Sequence, residues 1–312
     1  MLFPSREARL PAPLVECVPN FSEGRNGRTV AAILDSIRAV PGARLLDWSS
    51  DPDHNRSVVT LAGSAPAVEE AAFAAVACAA NRIDLRRHRG VHPRIGAADV
   101  VPFVPLQDAS MQECVAVAQR LARRIGGELG IPVYLYGEAA SRPERRNLSD
   151  IRKGEYEGLA AAIAAGPARQ PDFGPARLGP AGATAVGARG PLIAFNVFLN
   201  TPDVAVARAV AGCIRESSGG LPAVKALGFI VGGRAQVSMN LNDYTRTPLR
   251  RAYDAVRVEA ERLGARIERS ELIGLIPRAA TVGWTAADIR LEGFSESRTL
   301  EYRLKEAGLP ES

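Results

Sequence analysis

The stretch PLIAFNVFLN at residues 191–200 is an apolar and aromatic run with strand character. Thr201 and Pro202 follow as an N-cap and a first-turn proline, which predicts a helix to about residue 215. Gly219, Gly220 and Pro222 end it. Two strand candidates, 226–231 and 235–241, flank a Gly-Gly-Arg turn and predict a hairpin. Thr247 and Pro248 repeat the cap-plus-proline signal and open a helix to about residue 263. Gly264 stops that helix, and 266–276 returns as a strand. Strand, helix, strand, strand, helix, strand is the ferredoxin-like order, so the expected class is α+β.

The N-terminal half starts in the same way, with a strand at 14–21, a helix at 28–40, strands at 43–49 and 57–62, and a helix at 66–81. A polar segment, 86–94, then precedes the apolar run 100–104. Ser110 and Glu113 form an S-x-x-E capping box that opens a helix to about residue 125. A strand at 131–136 and a helix at 155–165 complete this half. We therefore expect a divergent duplication of two ferredoxin-like (βαββαβ-type) subdomains, 14–189 and 190–304. Residues 1–13 are expected to be a flexible N-terminal extension and 305–312 a tail. The connector 166–189 is rich in Gly, Pro and Ala, a composition that sustains neither a helix nor a central strand. A loop of that length inside a compact protein is either functional or disordered. Ferredoxin-like units carry their helices on one face, so two such sheets can face each other across a ligand cleft.

Length and composition agree. A chain of 312 residues fits two domains of about 100–200 residues. Its 46% hydrophobic and 23% charged residues are those of a globular protein. Cys17, Cys78, Cys114 and Cys213 are widely spaced in apolar stretches, which predicts buried free thiols in a reducing compartment. No apolar run reaches about 18 residues, which excludes a membrane-spanning helix. The net charge of +5 comes almost entirely from arginine, which suits carboxylates as well as phosphates. No block of like charge suggests a nucleic-acid tail. Dinucleotide, P-loop and nucleophile-elbow glycine motifs are absent. Phe195 and Phe198, three apart, point to opposite faces of a strand and do not form a base-stacking pair.

Histidine is scarce. Two of the three lie in HRGVHPR at 88–94, a loop by its glycine and proline. Its arginines lower the pKa of a nearby imidazole and keep it neutral, as a general base requires. Spacing alone still favours ordinary surface residues. His88 and His92 have the i, i+4 spacing of metal ligands, but Gly90 and Pro93 oppose a helix, so no metal is expected. His54, in DPDHNR at 51–56, reads as a solvated hairpin tip.

Several unusual strings occur in one order: VECVPNFSEG at 15–24, DHNRSV at 53–58, HPRIG at 92–96 and PVYLYGE at 132–138. RKGEYE at 152–157, PDFGP at 171–175, GATAVGAR at 182–189, AQVSMN at 235–240 and ELIGLIP at 271–277 continue them. Through these the chain resembles the glutamate formiminotransferase family, over roughly residues 14–293 and without the cyclodeaminase domain fused to the vertebrate members. The resemblance implies transfer of a formimino group from N-formimino-L-glutamate to N5 of tetrahydrofolate, as in histidine degradation and one-carbon metabolism. It makes His92 the catalytic histidine. The folate-binding loop becomes Gly174, Pro175, Ala176, Arg177, Leu178, Gly179, Pro180, Ala181 and Gly182. Asn20 and Asn55 become candidates for the amidine nitrogens, and Arg56 and Arg94 for the substrate carboxylates. Vertebrate members carry an aspartate where this chain has Ser49, so Asp47 or Asp51 is the expected acid partner of His92. The implied co-substrate is tetrahydrofolate, polyglutamylated or not, with no metal. A cytoplasmic homodimer is implied, with a separate cyclodeaminase as a partner and neither nucleic acid nor membrane. Two alternatives stand beside this reading. One is a folate-dependent transferase or ligase with another formyl or formimino donor; the other is a non-enzymatic ferredoxin-like nucleic-acid-binding module.

Overall fold

The computed structural model describes residues 13–311. The extension expected over 1–13 lies outside the described residues except for Pro13. The N-terminal unit runs β1 (Leu14–Cys17), β2 (Asn20–Phe21), α1 (Gly27–Arg38), β3 (Ala43–Asp51), β4 (Arg56–Ser64), α2 (Ala65–Arg82) and β5 (Ala98–Pro105). It continues through α3 (Met111–Glu128), β6 (Val133–Gly137), α4 (Leu148–Ile151), α5 (Glu155–Ala164) and β7 (Thr184–Ala188). The strand expected over 14–21 is thus two pieces. Pro19 has no N–H to give the ladder, and both pieces lie between β4 and β5.

Counting β1 and β2 as one strand, the first four strands of this unit lie in the spatial order second, third, first, fourth, all antiparallel. Beyond β5, β7 and β6 extend the sheet in parallel. Strand β7 corrects the expectation that 166–189 holds no central strand. Thr184, Ala185, Val186, Gly187 and Ala188 are all buried. A Cβ on Gly187 would lie 2.4 Å from the Tyr136 carbonyl oxygen, so only glycine lets β6 approach this closely.

The main core lies under α1, α2 and α3 on one face of this sheet, where Phe21, Ile33, Leu61, Phe103, Leu121 and Ile125 are buried. Ser110 caps α3 through the expected capping box with Glu113. The opposite face is not bare. Helix α5 covers its β7–β6 end through Leu159 and Ile163 against Tyr134, Tyr136 and Ala185. The expectation of helices on a single face therefore fails in this unit.

The C-terminal unit runs β8 (Ile193–Leu199), α6 (Val204–Ile214), β9 (Val224–Val231), β10 (Arg234–Leu241), α7 (Leu249–Arg262), β11 (Ile267–Ile273) and α8 (Leu300–Glu306). Its sheet order, β11-β8-β10-β9, is again second, third, first, fourth when read from β9, and every pair is antiparallel. Gly232 and Gly233, both at positive φ, make the two-residue hairpin turn. The expected caps shift: Asp203, not Thr201, caps α6, and the Thr247 hydroxyl donates to the Pro222 carbonyl. Phe195 and Val197 face the helices with Val210 and Val256, whereas Phe198 lies on the other face under the Arg269 guanidinium. Helix α8 crosses to the first unit, where Leu300 and Leu304 pack on Leu46 and Ala62 and Leu309 joins them. The segment set aside as a tail is therefore partly helix and partly packed. Cys17 and Cys114 are buried, but Cys213 is exposed, since it sits on the outward side of α6.

Candidate active site

Three loops of the first unit are stapled together by Asn55, which adopts a left-handed φ of 48°. Its Oδ1 accepts from the Gly24 N–H and its Nδ2 donates to the Arg89 carbonyl, at 3.0 and 2.9 Å. A Cβ on Gly90 would stand 2.3 Å from the His54 carbonyl oxygen, so loop 86–94 lies directly against loop 51–56.

All three histidines are held here. His88 Nδ1 accepts from Arg94 Nε at 3.1 Å, so its proton sits on Nε2, which donates to the Asn55 carbonyl at 2.9 Å. Burial, with Arg94 adding, lowers its pKa against the pull of that carbonyl. His88 is a neutral structural residue. His54 is buried, not a solvated tip. Gln236 of the second unit accepts from its Nε2 through Oε1 at 3.2 Å and turns its amide nitrogen toward Glu271.

His92 differs. Its Nδ1 is 2.8 Å from the Pro93 carbonyl, which only accepts, so Nδ1 carries the proton and Nε2 keeps its lone pair. Burial first, and then Arg56 and Arg152, push its pKa well below the ordinary imidazole value, with Asp99 opposing. His92 is neutral at neutral pH and basic at Nε2. Its ring lies 5.8 Å from that of His54 and 6.3 Å from that of Phe229.

Beneath it lies a buried ion cluster. Asp99 is fully buried and receives Arg56 Nη1 at 2.8 Å, the Ile95 N–H at 2.8 Å and Arg152 Nη2. Burial alone would raise its carboxyl; Arg152, Arg56 and the Ile95 amide together hold it well below the usual carboxylate range. Burial likewise brings Arg56 down to about 10, with Asp99 opposing. Asn20 accepts from Arg56 Nε at 3.1 Å. Asp99 is the extra residue of a bulge, because adjacent Asn20 and Phe21 pair with Val100 and Ala98. Bulges of this kind re-aim a side chain.

The second unit reaches this region through Phe229, whose ring lies 5.3 Å from that of His54. Phe229, Leu227 and Lys225 alternate along one face of β9, and Lys225 Nζ reaches Asn147 Oδ1 at 3.2 Å. Loop 174–182 is tied to the first unit by backbone hydrogen bonds. Ala97 and Leu85 N–H groups donate to Ala181 and Pro180, and Gly182 N–H donates to Gly179. Its last residues thus run against 95–97, just past His92. Arg177 stands exposed at its middle, and Leu178 packs toward α5.

Of the residues singled out in the sequence, His92, Asn20 and Arg56 come together. Arg94 does not join them. All five of its N–H donors are taken by Glu155, Glu157 and His88, so it cannot fork a substrate carboxylate. Asn55 is likewise committed to the loops it staples. Asp47 lies toward Arg298 of the last segment, and Asp51 accepts from the His54 N–H. Asp99 and Arg152 were missed as site residues. The available signal was a lone acid in the apolar run 98–105, since a charge in a buried strand needs a partner. Among the described residues no three His, Cys, Asp or Glu side chains are grouped to hold a metal ion. No helix among them is long and apolar enough to cross a membrane.

Residues 14–189 match the family described as Formiminotransferase domain, N-terminal subdomain, and residues 194–303 match Formiminotransferase domain. A glutamate formimidoyltransferase of Thermoplasma acidophilum is 48% identical over 94% of this chain and 98% of its own length. One of Streptococcus pyogenes serotype M1 is 44% identical over 91% and 95%. The formimidoyltransferase-cyclodeaminase of Rattus norvegicus is 43% identical over 86% of this chain but only 51% of its own length.

Proposed function

The chain belongs to the formiminotransferase family, and from that premise we propose that it moves the formimino group of N-formimino-L-glutamate to N5 of tetrahydrofolate. Glutamate and 5-formiminotetrahydrofolate leave. The family likeness along nearly the whole chain supports the reaction. The observation that carries the mechanism is the Nδ1 hydrogen bond of His92, which leaves Nε2 free as a base.

The step runs on this chain's own groups. The amidinium carbon of the donor is the electrophile, and N5 of tetrahydrofolate attacks it as its proton passes to His92 Nε2. The new N5–C bond gives a tetrahedral adduct. The bond from that carbon to the glutamate nitrogen then breaks, and the imidazolium returns the proton to that nitrogen. Burial, and then Arg56 and Arg152, destabilise the imidazolium, so it is acidic enough to give the proton back. Asp99 tempers them and takes the place of Asp47 and Asp51 as the acid associated with His92. Holding two substrates in one orientation contributes much of the acceleration.

Both units read as ferredoxin-like, and the folate is placed between the free face of the second sheet and loop 174–182. The tethering of that loop to residues 95–97 and the half-exposed row Phe229, Leu227, Lys225 support this placement. A cytoplasmic homodimer working with a separate cyclodeaminase is proposed from the family.

Purified protein with tetrahydrofolate and N-formimino-L-glutamate is expected to release glutamate and folate product in equal amounts. Consumption of N-formylglutamate in preference to the formimino donor would instead establish the reading with another one-carbon donor. Consumption of neither would refute the activity.

A further inference from the structure

A cavity of about 390 Å³ opens between residues 89–91, the loop that leads into His92, and the β9–β10 turn. That volume is in the range of small-ligand sites. Val91 and Ile230 line it, and they are the chain neighbours of His92 and Phe229. Val91 thus brings the cavity to within one residue of His92 along the loop, while Ile230 stands on the opposite face of β9 from Phe229. Arg25, Arg89 and Asp53 supply its charge.

The two guanidiniums are positioned but not neutralised. Arg25 Nε donates to the Pro52 carbonyl and Arg89 Nη1 to the His88 carbonyl, both at 2.7 Å. These bonds fix the side chains and leave both Nη groups of Arg25 and one Nη of Arg89 open. Among the described residues neither pairs with a carboxylate. Nearby arginines behave otherwise: Arg94 is saturated by Glu155 and Glu157, and Arg56 and Arg152 converge on Asp99. Asp53 is fixed as well, its Oδ2 accepting from the Gly232 N–H at 2.8 Å. The wall thus presents two open cations and one anchored anion.

We propose that this cavity seats the amino-acid donor, with Arg25 and Arg89 binding its two carboxylates and Asp53 facing its amidinium. The inference rests on the formimino transfer proposed above and adds where the donor is recognised. The charges of wall and ligand complement each other one for one: two carboxylates and an amidinium against two guanidiniums and a carboxylate. Forked guanidinium–carboxylate bonds also supply geometric selection. A donor lacking its side-chain carboxylate would leave one guanidinium unmatched, which makes the pair a specificity determinant for glutamate derivatives.

The test is the double variant Arg25→Gln/Arg89→Gln, with Arg250→Gln on α7 as a control for a general change of charge. Both target residues are exposed, so the thermal midpoint should stay near that of the wild type. KM for N-formimino-L-glutamate should rise by about tenfold or more, as expected for lost charge-assisted bonds. KM for tetrahydrofolate and kcat should change little, and the control should match the wild type. Calorimetric titration with N-formimino-L-glutamate alone should show the same weakening. Because that titration needs no turnover, a protein that binds the donor through this cavity yet fails to transfer it refutes the activity and not the site. An unchanged donor KM and affinity, or a rise confined to tetrahydrofolate, would overturn the proposal.

Discussion

The two units share the strand order second, third, first, fourth, yet they treat polar groups on their free faces differently. The first buries ions: Asp99 beneath Arg56 and Arg152, with no side-chain exposure at the acid. The second uses amides, with Asn196 donating to Glu271 at 2.9 Å and Gln236 linking Glu271 to His54. Buried ions shift the proton affinity of a neighbour strongly, whereas amides mainly hold position. On the proposed mechanism the same topology yields a proton-handling half and a positioning half, and the difference lies in a bulge and three loops.

Asp99→Ala should break that contrast most severely. It leaves two guanidiniums buried without a counter-ion, a change that costs about 3–5 kcal/mol. The urea midpoint should fall accordingly. A variant as stable as the wild type would mean that the cluster is not held as described.

Much of this arrangement was legible in the sequence, for identifiable reasons. Cap residues, Gly-Gly turns and apolar runs place the helices and strands of the second unit within a few residues. Strand β7 escaped because Gly187 and its two alanines look like linker, and only the close approach of Tyr136 explains the glycine. The catalytic role proposed for His92 rests on resemblance, not on spacing. Arg94 was misplaced because sequence cannot show that Glu155 and Glu157 would occupy it. Asp99 was hidden in an apolar strand, where its bulge depends on register against β2.

The pH dependence sharpens the comparison. A His92 pKa pushed well below 6.5 puts the acid limb of kcat/KM below pH 6.5, with flat activity from there to neutrality. A limb at pH 6.5 or above would place the imidazole in water. Stability follows the same sign. Groups whose pKa is depressed by folding stabilise the protein above their unfolded values and lose that contribution as pH falls. His92 therefore weakens the fold below about pH 6.5, and Asp99 below about pH 4, as urea midpoints across that range should record.

Gln236→Ala probes the positioning half and should act more gently. It unpartners His54 Nε2 and costs about 1–3 kcal/mol. Turnover should fall only a few-fold, with the acid limb unmoved. A displaced limb would show that the second unit also sets the proton affinity of the site.

The most direct measurement is turnover of His92→Ala beside His88→Ala. His92→Ala should lower kcat by roughly 10²–10⁴-fold while tetrahydrofolate affinity and the thermal midpoint stay near wild type. His88→Ala should do the opposite. It removes the acceptor for Arg94 Nε and the donor to Asn55, so it should lower the midpoint while sparing most of the turnover. Retained turnover in His92→Ala together with its collapse in a stably folded His88→Ala would contradict the account.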